Sequence, residues 1–420
     1  MVNSFLKDWG SMAISQSQEG CRSTRHALLW MNLASEPLIS LYTLIPFILR
    51  KDFGASMFQV SLFITLRPVL SVFSFYWSAY LKEGKGRLVA NLISASFLAY
   101  LPFLFFPWVD NFWYLLFASA MYQLFSKAAI PSLIEVLKRN IPKKPREHAF
   151  SLFFILSFVE SGLLGLVFGG LLDSHFFDWK TLFSFAALAG LCSILLFVRL
   201  KVPELPPKEA QPAALSLAHP WRESFRLMRD RADFAHFQGA FMIGGAALML
   251  MAPALSTFYA DTLALSHTNM TTARFIFMAI GVGGSSLLWK KGLSLVPLLK
   301  LTRWVLCGFG LFPIFLLLAT FDLWFLYFAF FVYGVAQAGS HLIWNLSGTF
   351  FSGDQDSSPY TRVNILMLGL RGAVMPLIGG LFCEFLGPIP VLVTGMCLCF
   401  YGSRYLFVRS KLLTSHSTGL

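Results

Sequence analysis

Residues 27–49 read ALLWMNLASEPLISLYTLIPFIL, an apolar run of 23 residues that contains a single charge, Glu36. About 20 mainly apolar residues cross the hydrocarbon core of a bilayer as a helix. A charged side chain inside such a helix costs free energy and marks a functional or structural site. The run therefore predicts a membrane-spanning helix that carries one buried carboxyl group.

Stretches of similar length and hydropathy follow along the whole chain. We predict twelve transmembrane helices, at 27–49, 57–81, 88–108, 112–137, 149–172, 179–200, 234–259, 270–290, 295–319, 323–350, 361–384 and 387–408. The composition agrees, because 56% of the residues are hydrophobic and only 13% are charged, against about 25% charged residues in soluble domains. The predicted fold class is an all-α integral membrane protein.

Basic residues are distributed unevenly between the predicted loops. If the N-terminus is cytoplasmic, the outside loops carry only Arg50, Lys51 and Lys180, and the inside loops carry most of the others. Loops rich in lysine and arginine stay in the cytoplasm. The sequence therefore predicts that both termini are cytoplasmic, and the net charge of +12 indicates topology rather than nucleic-acid binding.

The predicted spans fall into two groups of six, separated by a proline-rich basic loop. The expected domains are a cytoplasmic N-terminal segment at 1–26, a six-helix bundle at 27–200, a cytoplasmic linker at 201–233, a second bundle at 234–408 and a cytoplasmic tail at 409–420. Within the linker, apolar residues at helical spacing predict an amphipathic helix on the membrane surface. A solvated linker is the alternative.

Two glycine-rich segments occupy matching positions in the two halves, 210 residues apart. The residues that they contribute to predicted helix packing are Gly165, Gly169, Gly170, Pro376, Gly379 and Gly380. Glycines four apart let membrane helices approach closely. Transporters built from tandem six-helix repeats bind their substrates near the membrane midplane, between the repeats. The sequence therefore predicts two pseudo-symmetric six-helix bundles.

The loop after the second span reads AYLKEGKGRL over residues 79–88. With the six-plus-six layout, it resembles the major facilitator superfamily, whose loop at this place reads G-x-x-x-D-R-x-G-R-R. Glu83, Gly86 and Arg87 match the acid, a glycine and an arginine of that motif. The resemblance covers the whole chain and implies a transporter that works by alternating access. It also implies that these three residues form a latch between the bundles on the cytoplasmic side, with a solvated turn as the alternative.

Polar side chains at helical spacing follow three of the spans that line the cavity in this family. They are Asn32 and Glu36 in span one, Gln123 and Lys127 in span four, and Gln337, His341 and Asn345 in span ten. Residues spaced by three or four share one face of a helix. We therefore expect these side chains to converge on one central cavity.

The acidic residues inside spans are candidates for proton transfer. Glu36 could carry a proton or bind a cationic group, and Glu160 in span five could take part in proton coupling. The alternative for Glu36 is a structural ion pair with a base such as Lys127 or Arg371, and the alternative for Glu160 is a pair with Arg67, Arg371 or Lys127. Arg274, Asp173 and Asp261 lie near span ends, and we interpret them as interfacial.

The basic residues inside spans have two interpretations each. Lys127 could bind a substrate carboxylate or phosphate, or extend to the cytoplasmic face. Arg67 and Arg371 favour a gating or structural role between the bundles over direct substrate contact. His341 could titrate near neutral pH, or serve only as a buried hydrogen-bonding group.

These observations predict a secondary active transporter for a small organic solute, with protons as the coupling ion. The mixed charges suit an anionic or amphoteric solute, and we expect a monomer in a bacterial inner membrane. An uncoupled exchanger or facilitator is the first alternative, and a membrane-embedded enzyme or a transport-dead receptor on the same fold is the second. The sequence contains no nucleotide-binding loop, zinc-protease motif or serine elbow, so we expect no catalytic residue, cofactor or metal.

Overall fold

The computed structural model describes residues 2–80, 87–141, 143–174, 176–198, 202, 219–352 and 358–417. Regular structure in these residues is entirely helical. The first six helices are α1 (Val2–Lys51), α2 (Met57–Tyr80), α3 (Arg87–Leu104), α4 (Phe112–Asn140), α5 (Lys143–Asp173) and α6 (Trp179–Val198). The next four are α7 (His219–Asp230), α8 (Ala232–Thr257), α9 (His267–Thr271) and α10 (Met278–Leu295). The last four are α11 (Leu298–Leu318), α12 (Trp324–Ser352), α13 (Ser358–Leu386) and α14 (Pro388–Ser417).

Nine helices in the described ranges are long and apolar enough to cross a membrane. The prediction of an all-helical, multi-pass membrane protein is confirmed, and the count of twelve spans stays a prediction. Two of the nine spans include π-helical turns, at Phe258–Thr262 after α8 and at Thr272–Phe277 between α9 and α10. The second turn carries Arg274.

Tight connections between consecutive helices use glycines in the left-handed region. Gly54, between α1 and α2, has φ +68°, and Gly387, between α13 and α14, has φ +80°. A side chain disfavours this backbone conformation, whereas glycine adopts it readily. These two residues therefore permit short turns between neighbouring helices.

The chain forms two compact units whose boundaries cut through helices. Unit 1 comprises Met1–Thr43, Phe73–Val167 and Ser174–Pro212, and unit 2 comprises Leu44–Val72, Phe168–Asp173 and Ala213–Leu420. The end of α1, the first two thirds of α2 and the end of α5 thus belong with the helices of the second half. The domain boundaries expected from the sequence stay predictions.

Aromatic side chains form the core of each unit. In unit 1 the Phe103 ring stacks 5.7 Å from Phe183 and meets Tyr122 edge-on at 5.8 Å. In unit 2 the Phe234 ring lies 5.1 Å from Phe351 and 4.9 Å from Tyr360. Aromatic pairs at these separations contribute packing energy beyond the burial of their surface, and they fix the helices that carry the polar groups.

The segment for which the sequence predicts a surface helix contains α7. This helix packs on α8 and α13 of unit 2, and its Glu223 carboxylate accepts a hydrogen bond of 2.5 Å from Arg362. Leu227 and Met228 contact the core of unit 2. Glu83 and Gly86 of the expected latch lie outside the described residues, and Arg87 is the first residue of α3.

Candidate functional site

Two polar stripes meet in unit 1, one on α1 and one on α5. Asn32 and Glu36 lie on the first stripe, and Ser157 and Ser161 on the second, in both cases four residues apart. Glu36 is 6% exposed, and its carboxylate accepts hydrogen bonds from the hydroxyls of Ser157 and Ser161. Asn32 Nδ2 donates to Ser157 Oγ at 2.5 Å. The matched spacing brings hydroxyl donors to a buried carboxyl group, and we call these residues the Glu36 cluster.

Glu160 adds a second carboxyl group beside the Glu36 cluster. It is half-buried on α5, next to Ser161, and the charges of Glu160 and Glu36 act on one another. Its Oε2 atom is buried and has no hydrogen-bond partner within the described residues. Unit 1 therefore holds two neighbouring acidic groups, of which one lacks full hydrogen bonding.

A tyrosine from α3 completes the surroundings of Glu36. The Tyr100 hydroxyl hydrogen-bonds the Ser35 side chain and lies within the electrostatic reach of Glu36. Gly190 of α6 makes room for the ring, because a Cβ at Gly190 would stand 3.2 Å from the ring carbons of Tyr100. Sequence analysis did not predict Tyr100, Ser157 or Ser161, since contacts between distant helices leave no local pattern.

The polar stripe of α4 also lies in unit 1. Ser119 and Gln123 are buried, and Lys127 is half-buried. Among the residues described in unit 1, the hydrogen-bond partners of the Glu36 carboxylate are the serine hydroxyls, and no basic residue pairs with it. A Glu36–Lys127 ion pair therefore does not form. The structural alternative for Glu36 thus loses one of its two expected partners.

The remaining stripe, on α12, belongs to unit 2. Gln337 Nε2 lies 2.8 Å from His341 Nε2, and His341 and Asn345 are exposed on the same helix. Arg67 of α2 is also in unit 2, and its charge acts on His341. The expected cavity residues are therefore divided between the two compact units, and their convergence on one cavity stays a prediction.

Arg371 of α13 is 7% exposed and contacts α8. Its Nη1 donates to the Phe241 carbonyl at 2.7 Å, and its guanidinium carbon is 5.5 Å from the Phe241 ring centroid. A Cβ at Gly245 would overlap the guanidinium group, so the glycine provides its space. Within the described residues Arg371 forms no ion pair, and its buried Nε has no partner.

The predicted packing glycines differ in their surroundings. A Cβ at Gly379 would overlap the Leu250 carbonyl oxygen of α8, and one at Gly380 would overlap the Ser61 hydroxyl of α2. A Cβ at Gly169 would overlap the Thr271 hydroxyl. Gly170 has open space at its Cβ position. Gly165 and Pro376 are buried.

Asp52, Asp173 and His267 lie together at one end of unit 2, and we call them the end cluster. The His267 ring contacts two carboxylates, with Nε2 2.8 Å from Asp52 and Nδ1 2.9 Å from Asp173. Asp173 also accepts the backbone N–H groups of His267 and Thr268, each at 2.8 Å. Burial opposes ionisation of Asp173, but the hydrogen bonds from Thr268 and His267 outweigh it and hold the pKa of this carboxyl below its usual value.

A second ion pair stands beside the end cluster. Arg50 Nη2 lies 2.5 Å from an Asp261 carboxylate oxygen, and Lys51 Nζ donates to the Leu265 carbonyl at 2.5 Å. Sequence analysis placed Asp173 and Asp261 at the membrane interface but did not predict their partners. The spacing of these partners along the chain gives no periodic signal from which the pairs could have been inferred.

The chain is similar in fold to several solved transporters. A mutant of the nucleoside transporter NupG superposes with a TM-score of 0.72 at 13% identity, and the alignment covers 92% of this chain and 99% of that one. A POT family transporter in complex with 5-aminolevulinic acid gives a TM-score of 0.70 at 13% identity, with 94% and 97% covered. A bacterial homolog of the human lysosomal transporter Spinster gives 0.61 at 14% identity, with 94% and 97% covered.

Identities this low establish similarity of fold and leave the solute open. No curated protein matches the sequence significantly. The sequence itself matches the family model described as Major Facilitator Superfamily over residues 38–359, which is more than half of the chain. The chain therefore belongs to the Major Facilitator Superfamily.

Proposed function

We propose that this protein is a secondary active transporter that moves a small organic solute by alternating access and couples its movement to protons. Membership of the family and the similarity to solved transporters indicate a transporter rather than an enzyme. The observation that carries proton coupling is the pair of neighbouring carboxyl groups, Glu36 and Glu160, in unit 1.

Two carboxylates in an apolar environment repel each other, so such a pair favours a state in which one group holds a proton. The hydroxyls of Ser157 and Ser161 stabilise Glu36 when it is ionised. The unpartnered Oε2 of Glu160 is a site where a proton could be held. Coupling requires a proton that binds when the site is open to one side of the membrane and leaves when it is open to the other side. A proton shared by the two carboxyl groups would meet this requirement.

The remaining polar residues have the roles that the sequence predicts for them. Asn32, Gln123, Lys127, Gln337, His341 and Asn345 would contact the solute, which would be anionic or amphoteric. Arg371, Glu83, Gly86 and Arg87 would act in gating between the bundles. We propose a monomer in the bacterial inner membrane with both termini in the cytoplasm.

The test uses the full chain in proteoliposomes that contain a pH-sensitive dye. Amino acids, dipeptides, nucleosides, sugar phosphates and dicarboxylates are added one at a time, and the pH inside the vesicles is followed. We expect at least one solute to change the internal pH with wild-type protein but not with Glu36→Gln. Glu384→Gln, at an exposed carboxylate near the end of α13, is the matched control and should behave as wild type.

Solute uptake without any change in pH would instead identify an uncoupled facilitator. A proton signal that is undiminished in Glu36→Gln and in Glu160→Gln would remove the carboxyl pair from the mechanism.

A further inference from the structure

Arg274 stands in the π-helical turn between α9 and α10, inside a candidate membrane span. It follows the start of α9 by seven residues, which is about 10 Å along a helix. Within the described residues its guanidinium group forms no hydrogen bond or ion pair. Sequence analysis placed Arg274 at the interface, because the predicted span begins only at residue 270. The structure shows a half-buried cation that lacks a protein partner in the described chain.

Arg67 of α2 supplies a second cation close to Arg274. The charges of the two arginines act on one another, and both act on the Tyr333 hydroxyl of α12. Arg67 lies ten residues into α2 and Tyr333 nine residues into α12, which places both about 14–15 Å along their helices. All three residues belong to unit 2, and each lies about 10–15 Å along its helix.

Backbone packing holds Arg274 and Tyr333 at one helix crossing. A Cβ at Gly334, next to Tyr333, would overlap the carbonyl oxygen of Met278, one turn after Arg274. A Cβ at Gly281 would likewise overlap the carbonyl of Phe331. Glycines on both helices therefore bring the two backbones into contact beside the arginine and the tyrosine.

The charges near this crossing are all of one sign in the described part of unit 2. Its carboxylates lie in helix ends, loops or the short helix α7; they are Asp52, Asp173, Glu223, Asp230, Asp233, Asp261, Asp322 and Glu384. Arg274 has no partner among the described residues, and an unpaired charge that is partly removed from water is destabilising. The neighbouring charge of Arg67, whose side chain is exposed, adds repulsion. Such a site is stabilised by an anion that the protein binds from solution.

We propose that Arg67, Arg274 and Tyr333 form a binding site for a dianionic group of the transported solute, a phosphate monoester or a dicarboxylate. Guanidinium groups bind carboxylate and phosphate oxygens through paired N–H donors, and two of them match two negative charges. Tyr333 is followed at four-residue intervals by Gln337 and His341, which lie 2.8 Å apart. These two side chains extend the same helix face and would contact the rest of the solute.

This inference rests on the proposed transport function, but its test measures binding alone. The melting temperature of the purified full chain in detergent is followed while inorganic phosphate or succinate is added. Acetate and chloride at equal ionic strength serve as monovalent controls. We expect phosphate or succinate to raise the melting temperature in a saturable way, because a ligand stabilises the state that it binds.

Variants assign the effect to the site. Arg274→Gln should weaken the apparent affinity by at least about tenfold, since hydrogen bonds between charged groups are lost. Arg274→Lys should restore part of the affinity, and Tyr333→Phe should weaken it less. Arg303→Gln is the matched control, because Arg303 is another half-buried arginine of unit 2, 4.4 Å from the Phe407 ring.

The assignment would be overturned if phosphate or succinate still raised the melting temperature of both Arg274→Gln and Arg67→Gln. It would also be overturned if these dianions raised the melting temperature of wild type no more than acetate does. Glu36→Gln separates the two proposals, because it should abolish proton coupling and still bind the dianion. If Arg274→Gln binds the dianion as tightly as wild type and proton coupling is intact, only the binding site is refuted. If Arg274→Gln weakens dianion binding but the wild-type protein shows no proton coupling, only the proton mechanism is refuted.

Discussion

The Nε2 atom of His267 lies 2.8 Å from an Asp52 carboxylate oxygen, which joins the start of α9 to the end of α1. Its Nδ1 atom lies 2.9 Å from Asp173 at the end of α5. Carboxylate oxygens accept hydrogen bonds when ionised, so both contacts form together when the imidazole carries a proton on each nitrogen. Ends of two helices from the first half of the sequence are thereby fastened to the second half within unit 2.

Asp173→Asn is expected to destabilise the end cluster. The carboxylate accepts two backbone N–H groups and faces the His267 ring, and an amide can replace only part of this pattern. The loss should be about 1–3 kcal/mol of the free energy of unfolding, as for a hydrogen-bonded charged group. The melting temperature of the purified protein measures it, with the exposed Glu384→Gln as control. An unchanged melting temperature in Asp173→Asn would contradict this account.

The contribution of Asp173 should also depend on pH. Because its pKa is held below the usual value, folding favours the ionised form. The stabilisation is therefore fully present above the pKa of an unfolded aspartate, about 3.9, and is lost as the pH falls toward the lower pKa of the folded state. The difference in melting temperature between wild type and Asp173→Asn should therefore shrink as the pH falls below about 4. A difference that grows on acidification would show the opposite linkage.

The sequence was sufficient to predict the membrane class, because apolar runs longer than a bilayer are a local signal. It also predicted that Glu36 is buried, since the charge sits within such a run. It could not predict Ser157 and Ser161 as partners of Glu36, more than 120 residues away, because the rotation of α5 against α1 depends on the packing of whole helices.

Arg274 and Arg371 show a second limit of the sequence. Whether an arginine in a membrane helix has a carboxylate partner is a property of three-dimensional contacts, so a pattern of charges cannot distinguish a structural pair from a ligand site. The π-helical turn that carries Arg274 also changes the phase of the helix. Residue spacing alone therefore does not show which face of the helix carries Arg274.

Gly245→Ala should displace Arg371. The new methyl group would overlap the guanidinium group, which would lose its hydrogen bond to the Phe241 carbonyl. Overpacking of this kind costs about 1–3 kcal/mol. Gly239→Ala is a control on the same helix, since its Cβ would meet the Tyr405 hydroxyl at an ordinary 3.7 Å. If steric conflict with Arg371 is the cause, the effects of Gly245→Ala and Arg371→Ala on the melting temperature should be clearly non-additive.

The two glycines Gly379 and Gly170 should respond differently to alanine. Gly379→Ala places a methyl group against the Leu250 carbonyl oxygen, and a backbone atom cannot move aside as a flexible side chain can. We expect a loss of about 1–3 kcal/mol and a lower yield of folded protein by size-exclusion chromatography. Gly170→Ala meets open space and should fold like wild type. Equal behaviour of the two variants would show that close contact between α8 and α13 does not limit stability.

Glu36→Gln should separate proton coupling from structure, and its effect on stability is the first part of that test. The amide keeps the shape of the side chain and can still accept hydrogen bonds from Ser157 and Ser161. Glu36 has no basic partner among the residues described in unit 1, so the change leaves no cation of that unit unpaired. We therefore expect a melting temperature close to that of wild type. Removing one partner of a buried ion pair lowers the free energy of unfolding by about 3–5 kcal/mol. A fall in melting temperature that corresponds to a loss of this size would favour the structural alternative.

The second part of the Glu36→Gln test is transport. The amide cannot release a proton, so uptake driven by a pH gradient should fail while exchange of solute across the membrane persists. Glu160→Gln gives a second measure, because it removes the repulsion between the two carboxyl groups and should shift the pH dependence of uptake even if transport continues. Gradient-driven uptake at the wild-type rate in Glu36→Gln would leave the carboxyl pair without a role in coupling.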